Sequence, residues 1–194
     1  MSGPLGFEAI DWSAPLDVDA YVEHCPADAT VKGIVMTSVL KHATKRGLSL
    51  PPGLGPFHTF KAYPLREHMR LTVDIAKLVF PTRPLRQALR EFGWTTFPAM
   101  RDTLIGKVVF GSVEEPVVIY RRVNKAYEIT GSRSRATISE HGPRFVHMHI
   151  RTAFGFLDTF HVGTSEGVCI AMGRKPNLVI KRHSLSEAEF YVQW

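Results

Sequence analysis

The sequence predicts an α+β fold: a helical N-terminal half covering an antiparallel sheet built from two late strand pairs that flank one helix. Three observations predict it. Apolar residues recur at spacings of three and four through the first 126 residues, the signature of helices with one buried face. From Ala136 the alternation becomes period two, in two separate pairs of segments. Glycines and prolines fall between the segments and punctuate them. Strand–helix alternation of the parallel nucleotide-binding kind is absent from this pattern.

Each element follows from its own residues. Asp17–His24 reads as a short helix stopped before Pro26. Asp28 or Thr30 caps a second helix to about Arg46, with Val31, Val35, Val39 and Leu40 as its core stripe and Gly47 as its stop. Leu48–Ala62 is a loop broken by Pro51-Pro52-Gly53 and Gly55-Pro56, and Phe57 and Phe60 should pack it down. Pro64 opens a third helix with Leu65, Met69, Thr72, Ala76 and Val79 on one face. Pro84 opens a fourth, ended by Gly93, and Thr96–Phe110 forms a fifth through Phe97, Met100, Leu104 and Val108. Pro116–Ala126 is a sixth. Ala136–Glu140 and Arg144–Thr152 then make a hairpin around Gly142-Pro143, with Val146, Met148 and Ile150 on one side. Leu157–Met172 is helical and ends at Gly173, and Leu178–Arg182 with Glu189–Trp194 make the second strand pair.

Residues 1–194 read as one domain, with residues 1–12 flexible. A chain of 194 residues, 44% hydrophobic and 22% charged, can bury a core without a metal or disulfide staple. The net charge of +6 permits anionic partners. The arginines are scattered and form no run of like charge, so nucleic acid is disfavoured. Cys25 and Cys169 are too far apart for a zinc spacing and read as small buried hydrophobes of a reducing compartment. No signal peptide and no apolar run long enough to span a membrane is present, so a cytoplasmic location is expected.

The candidate binding residues are His147, His149 and Arg151 with the loop aromatics Phe57 and Phe60. Alternation puts His147 and His149 on one strand face, about 7 Å apart. Such a pair can share a metal, with His141, His161, His183 or Glu166 completing the set, but no zinc-type spacing supports it. A polar sheet face opposite the apolar Val146, Met148 and Ile150 is the favoured explanation of the pair. Arg133, Arg135, Arg144 and Arg151 gather around the first hairpin and suit a phosphate or carboxylate, or more simply a solvated, charged hairpin edge. Gly163 and Gly167 lie four apart on one helix face, which lets a neighbouring backbone approach. Catalytic templates are missing. There is no phosphate-cradling loop, dinucleotide fingerprint or nucleophile elbow, and His161 with Asp158 reads as a surface pair.

Several spans carry a resemblance: Cys25-Pro26, Val31-Lys32-Gly33-Ile34, Tyr63-Pro64-Leu65-Arg66, Pro84-Leu85-Arg86 with Phe92-Gly93, and Gly163, Gly167 and Gly173 before Glu189–Trp194. In this order and spacing they resemble a myxobacterial paralogous family of unknown function, over about Asp17 to Trp194. More remotely the layout is similar to a ligand-binding fold shared by vinyl-reductase-like domains, heme-based nitric-oxide sensors and a trafficking-complex subunit. That resemblance implies a pocket between helices and sheet, and a dimer. The heme sensors carry a proximal histidine before the first strand and a Tyr-x-Ser-x-Arg signature. Here Thr96–Tyr127 contains no histidine, and Ser132-Arg133-Ser134-Arg135 lacks the tyrosine. Heme in that mode is therefore disfavoured, a vinyl-reductase cysteine pattern is absent, and no cofactor is expected.

The resulting expectation is a non-catalytic sensory domain for a small apolar or lipid-like molecule. Its pocket would be lined by the helices at Val31–Arg46 and Pro64–Val79, with Phe57 and Phe60 as a lid. The alternative is a dimeric protein-interaction or scaffolding module in signalling or motility, which would show an exposed apolar patch and no deep pocket. An enzyme is the third class, to be reopened if His147 or His149 meets Glu140, Glu166 or Ser165 inside a pocket.

Overall fold

The computed structural model describes residues 4–50, 53–54, 56–111, 113–131 and 133–194. Met1–Gly3 of the expected flexible start, Pro51, Pro52 and Gly55 of the loop, and Ser132 of the serine–arginine stretch lie outside the described residues. The architecture is the expected one: helices concentrated in the first half, and an antiparallel sheet from the last third of the chain.

Helix α1 (Val18–His24) starts where Asp17 accepts the Ala20 amide, a side-chain cap on an otherwise unpaired donor. The next segment departs from expectation. Thr30–Lys32 is a short strand, β1, and helix α2 begins only at Gly33 and runs to Thr44. The reason is the returning loop. Its end, β2 (Ala62–Pro64), pairs antiparallel with β1. The amides of Gly33 and Ile34 donate to the Lys61 and Thr59 carbonyls, so the loop backbone does the capping. A Cβ on Gly33 would lie 2.2 Å from the His58 carbonyl oxygen, so only glycine admits this approach.

Helix α3 (Leu65–Val79) buries Leu65, Met69, Thr72, Ala76 and Val79 as its spacing requires, and His68 with them. Helix α4 (Leu85–Arg101) corrects the reading of Gly93 as a stop, because the helix runs straight through it. Gly93 is small for packing: a Cβ there would sit 2.4 Å from the Phe160 carbonyl oxygen. The same helix continues through Pro98. Pro98 has no N–H to give to the Trp94 carbonyl, and Trp94 is where Gly167 brings a second helix close. Helix α5 (Leu104–Phe110) is separate, with Thr103 accepting the Gly106 amide, and its Val108 is exposed rather than inward. Helix α6 (Pro116–Thr130) ends at Gly131 in the left-handed conformation.

Strands β3 (Ser134–Gly142), β4 (Phe145–Thr152), β5 (Asn177–Arg182) and β6 (Glu187–Gln193) form one sheet in the order β3-β4-β6-β5, antiparallel throughout. Val146, Met148, Ile150, Phe190 and Val192 are buried on the helix side. Glu8 exchanges both backbone hydrogen bonds with Ile180, so the N-terminal segment extends the β5 edge. Between the strand pairs the chain is not one regular helix. Phe156 adopts φ +61 while fully buried, Leu157–His161 forms a π-helical turn, and helix α7 follows from Val162 to Ala171.

Helices α4 and α7 cross with their backbones in near contact. Added Cβ atoms on Gly163 and Gly167 would lie 2.0 Å and 2.7 Å from the Arg90 and Trp94 carbonyl oxygens. The two glycines therefore serve helix packing, as their spacing led one to expect. Glu166 between them is buried, accepts two hydrogen bonds from Arg90 at 2.7 Å and 2.6 Å, and accepts a third from the Trp94 indole at 2.7 Å. Arg90 in turn lies 4.3 Å over Trp12. Asp158 is the second buried acid, held by Tyr21, Arg86 and Arg182. It is not the surface partner of His161 that its spacing suggested. Both carboxylates clamp the π-turn and α7 onto the helical half, and a buried acid needs such partners.

Candidate functional site

Two clusters of buried apolar residues meet in the middle of the molecule. One is built on α1–α3 with Phe154, Phe156 and Phe160; the other on α5, α6, α7 and the sheet. A cavity of about 170 Å³ lies at their junction. Its walls come from β1 and α2 (Val31, Val35, Val39), α3 (Leu65, His68), α4 (Thr96, Met100), α6 (Val123, Ala126, Tyr127), and the segment after β4 (Phe154, Phe160, His161). A smaller space of about 50 Å³ adjoins it against the sheet and shares Met100, Phe110, Tyr127 and His161. Among the described residues, the cavity wall contains no Asp, Glu, Lys or Arg.

The two cavity histidines are unusual polar groups in an apolar setting. His68 is 4% exposed, its ring packs 5.1 Å from Phe154, and its Nδ1 has no hydrogen-bond partner among the described residues. Burial alone pushes its imidazole down to about 4, so the ring is neutral at pH 7. His161 is also buried. Burial lowers it to about 4 as well, with the Phe154 carbonyl opposing the shift. Its Nε2 lies 3.2 Å from that carbonyl, which only a donor satisfies. The proton is therefore on Nε2, and Nδ1 remains as an acceptor. Burial alone raises the Tyr127 phenol to about 12, so it is neutral too. The whole wall is uncharged at pH 7.

The residues singled out from the sequence lie elsewhere. His147, His149 and Arg151 sit on the outer face of the sheet, opposite the buried Val146, Met148 and Ile150. His147 pairs with Glu189 at 2.8 Å and His149 with Glu187 at 2.7 Å, each diagonally across β4 and β6. Arg151 adds a 2.9 Å bond to Glu187, and His183 a 2.8 Å bond to Glu189. Among the described residues no group of three or more His, Cys, Asp or Glu is placed to hold a metal. Phe57 packs edge-on against Tyr63 at 5.1 Å, and Phe60 is 75% exposed. None of the five lines the cavity. The helical walls expected from Val31–Arg46 and Pro64–Val79 do line it.

His68 was within reach of the sequence. It falls three residues after Leu65 and four before Thr72, on the stripe that faces the core. A titratable residue at a core position is the signal. Among the described residues, no helix is long and apolar enough to cross a membrane.

The fold has solved counterparts. An H-NOX protein from K. algicida, in its Fe(II) unliganded state, is 15% identical, with TM-score 0.60 over 84% of this chain and 95% of that one. An H-NOX protein from S. oneidensis in the Fe(II)NO ligation state is 14% identical, with TM-score 0.59 over 84% and 98%. An oxygen-binding H-NOX domain related to soluble guanylate cyclases is 10% identical, with TM-score 0.56 over 83% and 91%. At such identities the likeness is one of fold. No curated protein matches the chain. A family model described as "Protein of unknown function (DUF2378)" matches residues 12–194, and the chain belongs to that family.

Proposed function

We propose that the chain is a non-catalytic sensory domain that takes a small, predominantly apolar molecule into the cavity between its helices and its sheet. The observation that carries this reading is the cavity itself: about 170 Å³, uncharged, and lined by both halves of the molecule. An engineered apolar cavity of about 150 Å³ in another protein stays dry and binds benzene. A molecule of that size would touch α2, α3, α6 and the segment Phe154–His161 at once. That segment holds the buried left-handed Phe156 and the π-turn, two features that are each frequent at functional sites. It leads directly into α7 through Asp158 and Glu166, so occupancy has a mechanical route to the α4–α7 crossing.

Heme does not fit. Its volume of about 170 Å³ is on the scale of one aromatic ring rather than a tetrapyrrole. Among the described residues, no cation lines it to meet two propionates. The H-NOX likeness therefore supports a shared scaffold with different contents.

Native mass spectrometry of the protein purified from cells tests the reading. A reproducible added mass below about 200 Da, lost in Ala126→Leu, is the expected result; 200 Da is the order of size that such a volume admits. An empty protein that also fails to bind benzene or toluene contradicts it.

A further inference from the structure

The polar inventory of the cavity narrows what it takes, and this step rests on the ligand-binding reading above. The Ser and Thr hydroxyls of the wall are already committed, while the neutral Tyr127 phenol stays a polar group of the lining. Ser38 donates to the Val35 carbonyl at 2.7 Å, Thr103 to Met100 at 2.7 Å, Thr130 to Ala126 at 2.8 Å, and Thr164 to Phe160 at 3.0 Å. Each bond turns the hydroxyl proton back into its own helix or turn, away from a ligand. Ser134 shares its hydroxyl with Thr152 at 2.6 Å. His161 has spent its donor on the Phe154 carbonyl and keeps only the acceptor at Nδ1.

His68 is different. Its Nδ1 is buried and unpaired, and the ring lies in the cavity wall against Phe154. A buried polar group left unpaired costs about 1–3 kcal/mol, so native proteins keep few of them without a reason. His68 is a lining residue, so its ring borders any guest. The absence of any charged lining residue excludes ionic guests, because an unpaired ion is far costlier to bury than a neutral polar group.

We infer that the cavity selects a neutral molecule of about one aromatic ring that carries a hydroxyl or similar hydrogen-bonding group, and that His68 is the residue that reads that group. The apolar walls bind the ring whatever its substituent. His68 decides between a ring with a polar group and its hydrocarbon isostere. This is the asymmetry of a site with a buried hydrogen-bonding group: the isostere lacking the partner leaves the protein group unpaired.

The test uses phenol and toluene as isosteric probes at pH 7, with benzoate as a charged control, and reads dissociation constants by calorimetry or ligand-observed NMR on the full chain. In the wild type both neutral probes bind and benzoate does not. His68→Leu shifts the phenol-to-toluene preference about tenfold toward toluene, the effect of one hydrogen bond. His68→Gln, which keeps a donor and an acceptor, restores part of the preference and serves if the leucine variant fails to fold. If both probes bind and neither variant changes their ratio, the role of His68 is overturned while the cavity reading stands. If neither probe binds the wild type, the cavity reading itself falls. Binding of benzoate as tightly as phenol overturns the neutral-ligand class.

Discussion

Acidification should weaken this fold through its cavity. His68 and His161 are both buried, and both are held near 4 against an ordinary value of 6.5. Folded, they stay neutral; unfolded, they take up protons as soon as the pH falls through 6.5. The unfolded chain therefore binds more protons between about pH 6.5 and 4. Stability from these groups is complete above 6.5 and is lost progressively as pH drops toward 4. Between pH 7 and pH 5 the loss is about 2 kcal/mol per histidine, or about 4 kcal/mol for the pair. That is a large part of the 5–15 kcal/mol typical of a domain. Urea unfolding followed by circular dichroism at pH 7 and pH 5 measures it as a shift in midpoint at constant slope. Outer-face carboxylates such as Glu187 and Glu189, lowered by hydrogen bonds from Arg151, His149, His147 and His183, also titrate in acid, so the wild type alone is not decisive. His68→Leu isolates the effect: it should lose about 2 kcal/mol less than wild type over the same interval. Leucine also removes an unpaired buried nitrogen, so at pH 7 the variant should not be strongly destabilised. Equal losses in the two proteins would refute the claim that His68 is buried neutral.

Three further predictions follow from the packing. Gly163→Ala places a Cβ 2.0 Å from the Arg90 carbonyl oxygen, a backbone atom that cannot step aside, and should cost about 2 kcal/mol or more in thermal or urea unfolding despite alanine's better helix propensity. Arg90→Met strands Glu166, whose side chain is 3% exposed, and should cost about 3–5 kcal/mol, with Glu166→Gln in the same chain recovering much of the loss. His149→Ala on the outer sheet face should change stability by no more than about 1 kcal/mol and leave toluene binding within twofold, because the pair it breaks is half-exposed and remote from the cavity wall.

The parts of this architecture that the sequence spelled out are those with many repeats of one period. The α3 stripe and the alternation of Val146, Met148 and Ile150 each give several independent votes for one face. β1 and β2 have three residues each, too few for a period, and the Thr30 that would cap a helix is equally at home in a strand. Gly93 shows a different ambiguity. Glycine before a new apolar run reads as a helix stop, but the same residue is needed where another backbone presses on the helix, and only the fold reveals the pressing chain. The π-turn at Leu157–His161 has no local signature. Its geometry depends on Gly155 lying against Tyr21 and on Asp158 reaching Arg86 and Arg182.

The site was half legible for a related reason. The helices that wall the cavity follow from their stripes. The histidines that alternate so visibly on β4 drew attention because alternation is easy to see, but alternation says only that two side chains share a face, not which face is enclosed. Here the enclosed face is the apolar one, and Glu187 and Glu189 from β6 occupy the outer imidazoles. His68 is a single titratable residue on the core stripe of α3, a quieter signal than two alternating histidines. Its meaning comes from the unpaired nitrogen, which requires coordinates.

Xenon tests the central claim most directly, because it needs no knowledge of the natural ligand. In a crystal of the protein under xenon pressure, density should fill the space bounded by Val39, His68, Ala126 and Phe160, and Ala126→Leu should abolish it. A wild-type structure in which those side chains have closed on one another, with xenon elsewhere or nowhere, would contradict the account.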